Sequence, residues 1–275
     1  MIIRRVPGRR RWWLLAFLIV LLVPAGFAAS SRSRSTWSSS AATWASPSVI
    51  ASPSPSPSPA KTAGPPPTPV RTEPLQLPGG VPAKGSGSFA YAAERGPVHG
   101  TQGRLRRFRV AVEKGSNEDP VWFARQVDAT LGDARSWTGG GTLRLQMVAG
   151  TDRADFTVYL ATRETAGRLC ERGGTNIRIG GRPYTSCRTV GKVIINLDRW
   201  RLSSRPFLTA RVPLATYRRY VLNHEVGHEL GRHHQGCPKR GGPAPVMVQQ
   251  TLTTRGCVPY AWPRRGSSFL VGPPL

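Results

Sequence analysis

The sequence predicts an α/β or α+β domain built on one sheet, carried by the C-terminal two-thirds of the chain. Three observations predict it. Several runs have the length and alternation of β-strands, two segments of helical periodicity stand among them, and the first third is too rich in serine and proline to form a core. RLRRFRVAVE (104–113) alternates and reads as a strand. DPVWFARQVDATL (119–131) opens on an acidic residue and places Val121, Phe123, Val127 and Leu131 at near-helical spacing. TLRLQMVA (142–149) and ADFTVYLAT (154–162) read as strands, and KVIINLD (192–198) reads as a buried one. The glycine-rich stretch NIRIGGRPYTSC (176–187) has room for an edge strand. TYRRYVLNHEVGHELG (216–231) reads as a helix closed by Gly231, and no strong periodicity follows it.

The N-terminal third has a different character. Arg4, Arg5, Arg9, Arg10 and Arg11 precede an apolar run from Trp12 to Val23 and the small-residue exit PAGFAAS, the pattern of a secretory signal. Extended through Ala29, the run reaches about 18 residues, so a retained membrane anchor is an alternative to a cleaved signal peptide over 1–29. Residues 30–87, with their SPSPSPSP repeat and PPP run, read as a disordered linker. Forty such residues in polyproline II form would span roughly 120 Å, enough for a tether through a cell envelope. The domain is then expected over 88–275.

Export agrees with the cysteines. Cys170, Cys187, Cys237 and Cys257 all lie in the expected domain, and an even number in an exported chain points to disulfides. Pairing Cys170 with Cys187 and Cys237 with Cys257 closes two local loops, each contributing about 3 kcal/mol. The formal charge is +25, and only five of the 39 basic residues are lysines. Cell-envelope association is one outlet for that charge. Nucleic acid is not expected as a partner, because the arginines are dispersed, no aromatic-plus-basic motif accompanies them, and the chain is expected to be exported.

The chemistry is concentrated in HEVGHELGRHH (224–234). Residues four apart on a helix are offset by about 40°, so His224 and His228 project from one face, one turn apart. Glu225 lies beside them, and Leu222, Val226 and Leu230 form a separate apolar stripe. H-E-x-x-H is a zinc metallohydrolase pattern, in which the metal lowers the pKa of its water to about 7 and the glutamate takes the proton. Two histidines leave such a site one protein ligand short. From Leu230 to Leu275 there is no Asp or Glu, which excludes a downstream carboxylate and leaves His233 or His234. Gly231 offers the positive φ that ends the helix and turns the chain back.

With His234 the run becomes H-E-x-x-H-x-x-G-x-x-H, which resembles the extended zinc signature of the metzincin metallopeptidases. Met247, in PAPVMVQQ, is similar to the methionine those enzymes carry in a turn beneath the metal. More broadly, residues 88–265 resemble a family of exported actinobacterial proteins with an uncharacterised zincin-like domain. YRRYVLNHEVGHELG, GCP, PAPVM, QQTL and VIINLDRW carry that likeness. The resemblance implies an α+β metzincin-like fold with a mixed sheet, an active-site helix and a Met-turn. It implies Zn2+ held by His224, His228 and His234, with Glu225 as general base and Met247 as the Met-turn residue. His233 is then a solvated neighbour, and Glu229 a surface group or one supporting the ligands from behind. By the same likeness, the strand ahead of KVIINLD would pair with an extended protein or peptide substrate; separately, Tyr184 and Tyr260 are candidates to assist an oxyanion, a role that spacing alone does not assign. Two other readings stand beside a secreted or membrane-anchored endopeptidase: an envelope-binding protein that keeps zinc for stability, and a zinc hydrolase of cell-wall amides.

Overall fold

The computed structural model describes residues 73–275. The expected signal or anchor and most of the expected linker lie outside the described residues. Among those described, no helix is long and apolar enough to cross a membrane.

The sheet begins with β1 (Phe89–Tyr91), β2 (Val98–His99) and β3 (Arg104–Glu113), followed by α1 (Pro120–Gly132). Asp119 caps α1 by accepting a hydrogen bond from the Val121 amide, and Pro120 stands in the first turn, where no amide donor is needed. Next come β4 (Leu143–Met147), β5 (Phe156–Ala161), α2 (Arg163–Arg172) and the small β6–β7 hairpin (Arg178–Ile179 and Arg182–Pro183). Then β8 (Cys187–Thr189) turns into β9 (Lys192–Asn196), which feeds α3 (Leu197–Leu202), α4 (Arg205–Thr209) and α5 (Leu214–Glu229). A last hairpin, β10 (Arg264–Arg265) and β11 (Ser268–Phe269), stands near the end.

The main sheet runs β2-β4-β3-β5-β9-β8, with β1 paired to β3. The β4, β3, β5 and β9 pairings are parallel, whereas β8 pairs antiparallel to β9 and forms an edge. The fold is therefore a mixed α/β domain on a mixed sheet. Alternate residues of the central strands serve two apolar clusters. Leu160 and Ile195 pack with Phe123 and Val127 of α1 and Val221, Leu222 and Val226 of α5; Ala161 and Ile194 pack with Ala166 and Cys170 of α2. Strands buried on both faces read as continuous apolar runs, which is why VIIN stood out in the sequence.

Several elements differ from the sequence reading. The expected strand 192–198 ends at Asn196, whose side chain accepts from the Asp198 amide and starts α3. α2 was not anticipated: it is short and charged, and it buries only a narrow strip around Ala166 and Cys170. The folded part also takes in residues on the linker side of 88. The Leu77 amide donates to Arg201 O (2.8 Å), the Leu214 amide to Pro74 O (2.9 Å), and Leu77 and Val81 pack on the core. A proline-rich strip builds no core of its own, but it can lie extended along one and offer its carbonyls. His99 belongs to β2, and its Nε2 is 2.9 Å from Asp128 Oδ1.

Both disulfides pair as the spacing predicts, Cys170–Cys187 and Cys237–Cys257. The first ties α2 to edge strand β8. The second closes the loop that carries Met247. Disulfides of this kind are compatible with an extracytoplasmic location.

Candidate metal centre

α5 carries His224, Glu225 and His228, and the way it ends decides what joins them. The Arg232 amide donates to Gly227 O (2.9 Å) and the Gly231 amide to His228 O (3.1 Å), the paired bonds of a Schellman cap. Gly231 sits at φ 83°, where a side chain would be strained. The chain therefore reverses over one residue and brings His234 back alongside the helix. Gln235 follows, its amide donating to Met247 O (3.1 Å).

His224, His228 and His234 converge, with ligand nitrogens within 4.8 Å of one another. His228 Nε2 and His234 Nε2 are 3.1 Å apart. Two imidazoles bound at about 2.0–2.1 Å to one tetrahedral ion hold their nitrogens about 3.3 Å apart, so the spacing fits a shared metal ion. The other ring nitrogens orient the first two ligands. His224 Nδ1 donates to Val246 O and His228 Nδ1 to Arg232 O, both at 2.8 Å, which leaves each Nε2 lone pair directed at the common point. Burial pushes the pKa of His224 down to about 3 and that of His234 to about 4, and lowers that of His228. All three are thus neutral at physiological pH, the form that binds metal. His233 is exposed on the rim and stands outside the converging group.

Glu225 is only 5% exposed, and among the described residues its carboxylate receives no hydrogen bond from the protein. Burial raises its pKa to about 8. A carboxylate desolvated without a partner, beside a metal-competent trio, is arranged to exchange a proton with something that enters the site. Glu229, one turn on, has the opposite environment and is not a surface group. Arg106 Nη2 donates to its Oε1 (2.8 Å) and Arg188 Nε to its Oε2 (2.7 Å), while Arg106 Nη1 holds its main-chain oxygen (3.0 Å). This clamp ties the end of α5 to β3 and to edge strand β8.

Met247 is buried beneath the helix. A Cβ added to Gly227 would lie 2.5 Å from Met247 Sδ and 2.7 Å from the Trp137 ring, so only glycine lets α5 settle on this turn. Asn223, on the same stretch of helix, is held through its side chain by Ser136 Oγ (2.7 Å) and through its carbonyl by Trp137 Nε1 (2.9 Å).

The trio opens into a cleft of about 450 Å3, lined among others by Ile177, Arg188, Tyr220, Arg232, Gln249 and Leu252. Neither Tyr184 nor Tyr260 lines it. The Tyr260 hydroxyl donates to Arg264 O (2.9 Å) and Arg199 stacks over the Tyr184 ring, so both are engaged elsewhere. Tyr220 does face the cleft, but its hydroxyl donates to Val248 O (3.0 Å).

Sequence reasoning missed Arg106, Arg188 and Gly227. A glycine inside an otherwise helical pattern was a legible signal of close packing. The arginines carried no such mark in a chain with so many.

Fold and site together define a mixed α/β domain that gathers three histidines into a group able to hold a metal ion. The chain belongs to the family described as protein of unknown function (DUF3152), which matches residues 76–259. No curated protein and no solved structure matches it.

Proposed function

We propose that the chain is an exported, zinc-dependent metallopeptidase of metzincin type. The observation that carries the reading is the pairing of three converging neutral imidazoles with an unpartnered, buried Glu225 in one cleft. Three imidazoles without a carboxylate or thiolate are a donor set that suits zinc. When bound, zinc polarises the scissile carbonyl and lowers the pKa of the attacking water to about 7. Glu225 takes that water's proton and then delivers it to the leaving nitrogen, a transfer favoured by a pKa near the working pH. Met247 and the Val246 carbonyl support the helix and the His224 ring from below. Edge strand β8, whose Cys187 and Arg188 line the cleft, offers its free main-chain groups to an extended substrate.

The test uses the purified chain. It is expected to bind one zinc, to cleave denatured protein, and to lose cleavage but keep zinc in Glu225→Gln. His234→Ala should lose the metal and His233→Ala should retain it. Failure of zinc-loaded protein to cleave any polypeptide would sink the protease reading. Cleavage of muropeptides alone would assign the same site to cell-wall amides.

A further inference from the structure

We infer that the substrate of this cleft is acidic next to the cleaved bond; the inference rests on the peptidase reading above. The segment that follows α5, which brings Arg232 into the cleft, is basic without compensation. From Leu230 to Leu275 the chain has Arg232, Lys239, Arg240, Arg255, Arg264 and Arg265 and not one carboxylate side chain. None of the six is in an ion pair among the described residues, and residues 1–72 contain no acid that could pair with them. Elsewhere in the domain acids commonly stand against arginines, as Asp198 does with Arg163 and Arg182.

The acids lining the cleft do not offset this charge. Glu229 is shared by two guanidinium groups, and Glu225 is buried and unpartnered. Arg188 and Arg232 both line the cleft, and of the two only Arg188 has a carboxylate partner among the described residues. A bound divalent ion adds further positive charge. An unpaired guanidinium in a concave site attracts anionic ligands and raises their encounter rate, and it pairs well with a carboxylate.

A peptide library digested with the zinc-loaded full chain locates the cleaved bonds by mass spectrometry. Asp and Glu should be enriched severalfold within three residues of those bonds. Replacing these acids by Gln in the best peptide should lower kcat/KM on the order of tenfold, replacement by Lys more, and raising the salt should shrink the difference. Cleavage without acidic enrichment overturns this inference and leaves the peptidase reading standing. Absence of cleavage of any peptide overturns both.

A different observation carries a second inference: residues 272–275 form a strap that positions His234. This segment lies beyond the family match, which stops at 259. The Leu275 amide donates to His234 O (3.2 Å), the Gly236 amide to Pro273 O (2.7 Å) and the Gly272 amide to Gln235 Oε1 (3.2 Å). Pro274 pairs antiparallel with Gln235, whose own amide is taken by Met247. The residues that follow the third histidine are therefore held between the Met247 turn and the strap. A Cβ on Gly272 would lie 2.0 Å from Gly236 O, so Gly272→Ala should push the strap away.

The strap rests on the trio being a metal site, and zinc affinity of the full chain tests each separately. Gly272→Ala should weaken zinc binding about tenfold and alter the absorption of the cobalt(II)-substituted site, with little change in metal-free melting. Gln235→Ala, which removes the side-chain acceptor, should act in the same direction and decides the matter if Gly272→Ala does not fold. Zinc affinity within about twofold of the parent and an unchanged cobalt spectrum would overturn the strap. A parent chain that binds no zinc would overturn the metal site beneath it.

Discussion

Glu225 should cost the metal-free protein stability in a pH-dependent way, and Glu225→Gln should remove that cost. The carboxyl has a pKa of 4.5 in the unfolded chain and about 8 when buried in the cleft, where desolvation is the cause. Between those values the folded state keeps a proton that the unfolded chain has lost. Unfolding therefore releases a proton, and stability falls as pH rises through the window. At about 1.4 kcal/mol per pH unit, the burial cost near pH 8 is roughly 4 kcal/mol, and it vanishes below pH 4.5. Glutamine has a similar shape and no proton to lose. In chelator-treated protein with its disulfides intact, Glu225→Gln should raise stability by about 2–4 kcal/mol at pH 8 and change it little at pH 4. With a denaturant slope of about 2 kcal/mol/M, that is a shift of 1–2 M in the urea midpoint. Comparing variant with parent at each pH cancels the histidines, which titrate in both. Adding zinc should shrink the gain, because the cation stabilises the charged carboxylate. A variant no more stable than its parent at pH 8, or equally stabilised at both pH values, would show that Glu225 is not desolvated as described.

Two further substitutions probe what holds the site. Gly227→Ala forces a methyl group against Met247 and Trp137 and should cost about 1–3 kcal/mol by overpacking, read as a lowered melting temperature. If Met247 yields instead and stability is unchanged, the turn does not support the helix tightly. Glu229→Gln leaves Arg106 and Arg188 without their shared carboxylate and should cost roughly 2–3 kcal/mol, less than a fully buried pair because both arginines are partly exposed. It should also loosen β8, seen as faster amide exchange at Arg188 and Thr189 than in the parent; unchanged exchange would count against the clamp.

Legibility in the sequence followed the range of the interaction that each feature depends on. The helix of the HEVGH run, the strands around VAV and VII, and the Asp119-Pro120 helix start all come from residues within a turn or two of each other. α2 escaped because its one apolar strip is completed by Ile177 and Ile194, and by the disulfide to Cys187. The edge of the domain near residue 88 was set too late because composition reports what a segment can build, not what it can lie against.

For the site, the sequence alone determined that two histidines share a helix face with a glutamate beside them, that residues 230–275 offer no carboxylate side chain to join them, and that a glycine follows the helix at the right distance. These are matters of helical geometry and of which residue types are present. Tertiary structure decided the rest. It placed His234 rather than His233 beside the pair, because the Schellman turn is carried on into pairing of Gln235 with Met247. It separated two glutamates that look alike on paper. Glu229 meets Arg106 and Arg188, which are 123 and 41 residues away in the chain, whereas the Glu225 carboxylate takes no hydrogen bond among the described residues. A carboxylate's environment is made by whatever the fold brings to it, and that cannot be read from its neighbours in sequence.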